Sequence, residues 1–389
     1  MSDSMPAKNA TADAVGAPAD AQPSGEPRSE AAVSPDAALS SHDTSGGVRG
    51  LLGRVVKVQS FQILLVLFAI FLIFAALAPD TFPTWANMRL VIQNVSILAV
   101  LGVGMTYVII TSGIDLSIGS VLVFSGVVAA KAMQASGGDG WGTAILGIVL
   151  SVICGILWGV LNGYLIAKAK VPPLIVTLGT LSGALGLAQV ITDGVDIREV
   201  PSVLATNIGY GNIPGTTIPT ISVIALVFVI VFGIILHKTK FGLYTYAVGS
   251  NEESARRVGV KVDKHLILIY ALSGAMAGVA GILSLAQYST TAIAGQSNTS
   301  LAVIAAVVIG GTSLFGGIGT IFGTVVGLFI PAILQNGFVI TGVQPFWQQV
   351  AVGAVLVVAV YIDQRRRAAA SRASGTGKRS LAHLFRRSA

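Results

Sequence analysis

Acids are scarce in the apolar part of this chain, and their positions show where chemistry could sit. Seven of its 17 Asp and Glu residues fall within the first 50 positions. Nine of the other ten lie in short gaps between apolar runs. Asp115 alone is close against apolar sequence on both sides, in Thr111–Ser120, TSGIDLSIGS. A carboxylate there could touch a solute, or it could accept backbone N–H groups at the start of a helix near Leu116. The capping role is the favoured expectation, with Ser117 and Ser120 helping to satisfy the break.

A second polar cluster is Asn251–Arg257, NEESARR. Asn251 suits an N-cap, Glu252 and Glu253 suit the first turn, and Arg256 and Arg257 suit the last, which matches the helix dipole at both ends. Gly259 would then stop the helix. The residues alone fit equally an ordinary capped loop helix and a docking knob for a soluble partner.

Other chemistries are excluded. The single cysteine, Cys154, rules out disulfide and Cys-based metal frameworks, and four scattered histidines (His42, His237, His265, His383) show no ligand spacing, so no metal site is expected. No G-x-x-x-x-G-K-[ST] occurs. Gly311–Gly316 has the first part of that spacing but lacks the lysine that a phosphate site needs. No catalytic residue stands out.

The elements that must position these groups are membrane helices. The chain is 53% hydrophobic and 11% charged, against roughly 25% charged in globular domains. A bilayer core takes about 20 mostly apolar residues per helix. Ten such spans are expected, at roughly 61–78, 89–111, 117–136, 142–167, 173–192, 217–236, 265–286, 301–314, 319–338 and 346–362. Lys and Arg concentrate in the gaps that share a side with the N-terminus, so both termini are expected in the cytoplasm. That topology sets Asp115 at the cytoplasmic end between the second and third spans, where it need not be deeply buried. The fold class is an all-α polytopic membrane protein. Residues 1–48 read as a disordered tail, 55–364 as the membrane domain, and 365–389 as a basic tail that touches anionic lipid. The net charge of +7 is a topology signal and not a mark of nucleic-acid binding.

Two further patterns matter. GIDLSIGSVLVFSGVV (113–128) resembles GTSLFGGIGTIFGTVV (311–326), as expected of transporters built from repeats with broken helices. Thr111, Asp115, Ser117, Ser120, Thr312 and Ser313 are therefore candidates for helix breaks or for a polar pathway. Uncharged polar residues within spans, chiefly Asn94, Gln189, Gln287 and Asn336, are candidates to line a passage. The long gap at 192–216 carries Asp193, Asp196 and Glu199, which could receive a partner on the opposite side.

Three stretches carry a family resemblance: MTYVIITSGIDLSIGSVLVFSGVVAA (105–130), AVGSNEESARRVGVKV (247–262) and AVIAAVVIGGTSLFGGIGTIFGTVVG (302–327). In this order they resemble the permease subunits of bacterial ATP-binding-cassette (ABC) importers, of the ribose/xylose/arabinose/galactose type. The likeness runs from about residue 55 to 365. It implies a chain that is not an enzyme and holds no cofactor, ATP and Mg belonging to a separate ATPase. It implies a homodimer in the bacterial inner membrane, a dimeric or two-domain ATPase below, and an extracytoplasmic sugar-binding protein above. Glu252, Glu253, Ala255, Arg256 and Gly259 match the segment that contacts the ATPase. Inositol, autoinducer or branched-chain amino-acid cargo are the alternatives within that class. A secondary transporter or a non-transporting scaffold lies outside it. Secondary transporters couple through intramembrane ionisable groups, and this chain offers only Asp115.

Overall fold

A computed structural model describes residues 59–293, 299–344 and scattered positions between 346 and 365. Residues 1–48 and nearly all of 365–389, read above as tails, lie outside the described residues, as does much of the span expected at 346–362. The positions described between 346 and 361 are helical.

Eleven helices matter for the site. They are α1 (Gln59–Leu77), α2 (Trp85–Ile110), α3 (Ile118–Ser136), α4 (Trp141–Ala167), α5 (Pro173–Thr192), α6 (Thr220–Lys238), α7 (Lys240–Ser250), α8 (Glu252–Arg257), α9 (Val262–Tyr288), α10 (Thr299–Ile309) and α11 (Ile321–Ile340). Between α5 and α6 a short turn, Ser202–Leu204, runs into a π-helical turn, Ala205–Gly209. Among the described residues, seven helices are long and apolar enough to cross a membrane: α2, α3, α4, α5, α6, α9 and α11.

Local sequence sets the ends. Thr84 caps α2 by accepting from Asn87 N at 3.3 Å. Pro173 opens α5, where its missing N–H costs nothing. Gly137 ends α3 in the left-handed conformation. The span expected at 301–314 is shorter: α10 has 11 residues, about 16 Å at 1.5 Å per residue, half a bilayer. It stops because Gly311 takes a φ of 95° and turns the chain. The gap at 237–264, expected to hold one short helix, holds two. Thr239 is extended, breaks the chain from α6, and caps α7.

The centre of the bundle is α9 with α2. Their buried faces pack with α3, α4 and α11 into one apolar core that includes Tyr107, Ile109, Leu101, Ile269, Tyr270, Met276 and Leu328. The contact of α4 with α9 is backbone on backbone. A Cβ on Gly155 would fall 2.1 Å from Gly274 O, and one on Gly159 2.2 Å from Tyr270 O. Only glycine permits that approach. It also sets Asn162, one turn further along α4, beside the start of α3.

Candidate functional site

α2 ends with three bonds in sequence. Thr111 N donates to Tyr107 O at 3.2 Å, Ser112 N to Ile109 O at 2.9 Å and Gly113 N to Val108 O at 3.0 Å. Ser112 sits at φ 62°. Residues 113–115 carry no regular structure, 116–117 turn, and α3 begins at Ile118.

Asp115 lies inside that break and is 1% exposed. One carboxylate oxygen, Oδ1, accepts from Ser117 N at 3.0 Å and from Ser117 Oγ at 2.6 Å. The other, Oδ2, accepts from Ser273 Oγ of α9 at 2.9 Å. Asn162 of α4 donates its Nδ2 to Ser117 Oγ at 2.9 Å. The single hydroxyl hydrogen of Ser117 is spent on Asp115, so Asn162 must present its NH2 there. Its Oδ1, like the hydroxyl of Tyr270, has no hydrogen-bond partner among the described residues.

This corrects the expectation that Asp115 need not be deeply buried. Segment 111–117 is largely buried. It is tucked among α4, α5 and α9, with Thr177 Oγ1 of α5 at 3.3 Å from Ile114 O and Gly113 against the Tyr270 hydroxyl. Asp115 takes the N–H of Ser117, just ahead of α3. Two residues on, Gly119 N goes instead to Ser300 Oγ of α10 at 3.0 Å, and Ser300 donates to Leu116 O at 2.8 Å. A residue 181 positions away from Gly119 thus completes the helix start. Sequence reasoning missed Ser300, since nothing local marks it. Ser120 and Thr111 are buried, the latter donating from Oγ1 to Val108 O at 2.8 Å.

The second break repeats the first. At the end of α10, Gly310 N donates to Ala306 O at 2.8 Å, Gly311 N to Val308 O at 2.9 Å and Thr312 N to Val307 O at 3.1 Å. Ser112 thus corresponds to Gly311, and Gly113 to Thr312. The structural pairing is shifted by one residue from the 113/311 alignment that the sequences suggest. The second break, 310–320, is also four residues longer than the first, 111–117. Thr312 and Ser313 are buried within it. The two breaks meet: Gly317 N donates to Ile110 O at 2.9 Å.

Beside this meeting point lies the polar loop. Asn251 caps α8, its Oδ1 accepting from Ser254 N at 2.8 Å. Arg256 reaches Glu252 at 3.0 Å and Asp263 at 2.8 Å, while Glu253 pairs with Arg257. Lys168 and Lys170 close on the same Asp263 at 3.2 and 3.4 Å. Gly259 ends the turn at φ 89°. Glu252, Glu253, Arg256 and Gly259 are exposed. Ala255, expected among the partner contacts, instead faces inward and is buried with Val248, Val262, Leu266 and Ala167. Its small side chain lets α8 pack close against α7 and the start of α9, so it holds the helix down without presenting a surface.

The polar residues expected to line a passage are distributed. Asn94 accepts from Tyr288 OH at 3.1 Å, which joins α2 to the last residue of α9. Gln287 is buried beside it in sequence, its Oε1 without a partner among the described residues. Gln189 stands on the exposed face of α5. Asn336 exchanges two bonds with Asn87, at 2.9 and 2.8 Å, so its amide is committed to holding α11 against α2.

At the opposite end of the bundle, Asp193 is exposed, whereas the other two acids of 192–216 are tied to their neighbours. Asp196 accepts from Thr291 Oγ1 at 2.9 Å and Ile293 N at 3.0 Å, and Glu199 from Gln134 Nε2 at 2.8 Å. Asp139 accepts both the N–H and the hydroxyl of Ser202. Those bonds hold its carboxyl below the usual aspartate range.

Residues 87–360 match the family described as branched-chain amino acid transport system / permease component. The chain is 40% identical over 288 residues to the ribose import permease protein RbsC of Bacillus subtilis, covering 72% of this chain and 86% of that protein. It is 35% identical over 294 residues to RbsC of Escherichia coli K12, covering 75% and 89%. It is 34% identical over 334 residues to the L-arabinose ABC transporter permease protein AraH of Azospirillum brasilense, covering 86% and 94%. No solved structure matches. The matched stretch holds both breaks, the capped α8 and, but for the first two residues of α2, all seven membrane-length helices. The chain is therefore a multi-pass inner-membrane protein that belongs to the branched-chain amino acid transport system / permease component family.

Proposed function

We infer that this chain is the membrane permease subunit of an ABC importer for a monosaccharide. The similarity to ribose and arabinose permeases over 72–86% of the chain carries this reading. The chain performs no hydrolysis. ATP and Mg act on a separate ATPase, in dimeric or two-domain form, which docks on α8 through Glu252, Glu253 and Arg256. An extracytoplasmic binding protein delivers the sugar at the 192–216 end. The membrane passage needs no tight site, because affinity resides in that binding protein.

A second copy of the chain completes the pathway. The exposed faces of α1, α4 and α6 are apolar, as lipid requires, whereas that of α5 mixes Leu174, Ile175, Leu178, Leu187 and Val190 with Gly179, Ser182, Gly183 and Gln189. Small and polar residues on a membrane helix favour a protein neighbour or a hydrated passage over lipid. α5 is thus the face we assign to the homodimer and the sugar's route. Ten spans with cytoplasmic termini fit the pattern of basic gaps.

Uptake of radiolabelled ribose, arabinose and fructose in cells with and without the gene tests the reading. Import should stop on ATP depletion and survive collapse of the proton gradient. The reverse pattern would identify a secondary transporter. For docking, Glu253→Lys with Arg257→Glu swaps an exposed ion pair in place and leaves the Arg256–Asp263 bond alone. Full ATPase association in that double variant would refute α8 as the docking element.

A further inference from the structure

The polar loop is anchored where both broken helices end. Gly249, the last residue but one of α7, lies on the final carbonyl of α2. A Cβ there would fall 1.7 Å from Ile110 O and 2.8 Å from Gly317 N. Ile110 O in turn accepts from Gly317 N. Ser112 Oγ stands 3.3 Å from Gly249 O and 2.9 Å from Phe315 O, so one hydroxyl hydrogen is shared between α7 and the second break. One turn earlier, Tyr246 OH donates to Gly319 O at 2.7 Å. A cavity of about 320 Å³ lies alongside, lined by Tyr246, Gly310, Gly311, Gly317, Ile318 and Thr320.

We propose that this three-way backbone junction of Ile110, Gly249 and Gly316–Gly317 is where movement of α8 enters the membrane domain. There it drives the ends of α2 and α10 together, with Gly249 and Ser112 as its positioning residues. The proposal rests on α8 being the ATPase's docking helix. Asn251 alone separates α8 from α7, so displacement of one displaces the other. Where Gly249 meets Ile110 and Gly317, backbone touches backbone, with no side chain between them to absorb the shift. The cavity beside Gly310 and Gly311 leaves room for that end of α10 to move. The far end of α10 carries Ser300, bonded to Leu116 O and Gly119 N. A shift at the junction therefore also reaches the start of α3.

The test uses the assembled transporter in proteoliposomes, with its ATPase and binding protein. The solute is whichever of ribose, arabinose and fructose the wild type imports. Ser112→Ala deletes the shared hydroxyl without adding bulk. It should leave ATPase association and basal hydrolysis unchanged while raising ATP consumed per sugar imported about fivefold, the equilibrium weight of one hydrogen bond. Gly249→Ala should raise that ratio further. Phe315→Ala keeps the carbonyl that the junction uses and should match wild type. An unchanged ratio in Ser112→Ala would overturn the proposal, even if Gly249→Ala fails to fold. Loss of ATPase association in Ser112→Ala would also overturn it, since the junction is argued to transmit and not to dock. Absence of ATPase binding in the wild type would instead refute the importer reading itself.

Discussion

Replacing Asp115 separates its geometry from its charge. Asp115→Ala strips the acceptor from three donors: Ser117 N–H, Ser117 Oγ and Ser273 Oγ. The backbone N–H has no alternative partner in the break, and a buried orphan costs about 1–3 kcal/mol. The two hydroxyls can partly recover by turning to nearby carbonyls, and side-chain bonds within membranes are worth about 0.6 kcal/mol each. The sum is about 2–4 kcal/mol. Asp115→Asn keeps an oxygen for both Ser117 bonds and turns an NH2 toward Ser273, whose hydroxyl can accept instead. It also removes a desolvated carboxylate, so its net effect should stay within about 1 kcal/mol. Reversible unfolding in mixed detergent micelles, titrated with SDS, measures both variants, and uptake in cells shows whether function follows. If Asn costs as much as Ala, the carboxylate's charge is itself required, and the account of Asp115 as a shared hydrogen-bond acceptor fails.

Three more outcomes are expected. Gly155→Ala would place a Cβ 2.1 Å from Gly274 O and should cost about 1–3 kcal/mol by overpacking, while Gly142→Ala, with nothing within 4 Å, should be harmless in the same unfolding assay. Ser300→Ala leaves Gly119 N and Leu116 O unpaired and should cost about 1–3 kcal/mol, seen as faster amide exchange at the first turn of α3. Asp139's carboxyl is held below the ordinary 3.8 of aspartate, so its bond to Ser202 is fully present above that value and is lost only as pH falls through the lowered one. Amide exchange at Ser202, corrected for intrinsic rates, should be flat between pH 7 and 5, and a rise within that window would contradict it.

The apolar runs were legible because a bilayer imposes one length on every span: α5 lies at the expected 173–192, and α4 begins one residue from its expected start. Asn251 as a cap was equally legible, since its partner Ser254 is three residues away. What escaped depends on distant residues. Charge bias assigns loops to sides but cannot reveal that a loop is tucked between helices, so Asp115's burial was hidden. The Ser300 and Asn336 pairings span 181 and 249 positions, with no local trace. α7 was missed because it is short and begins two residues after α6 ends, so it reads as part of a polar gap. The Ala255 orientation follows from packing on α9, which no pattern within NEESARR specifies.

The glycine seam between α4 and α9 bears on how such a bundle can move. With Gly155, Gly159, Gly274 and Gly278 in backbone contact, neither helix can slide without driving main chain into main chain. The pair behaves as a fixed axle. Asp115 reaches one side of it through Ser273, and the other through Ser117 and Asn162. Labels placed on α4 and α9 should therefore keep a constant separation through the whole transport cycle.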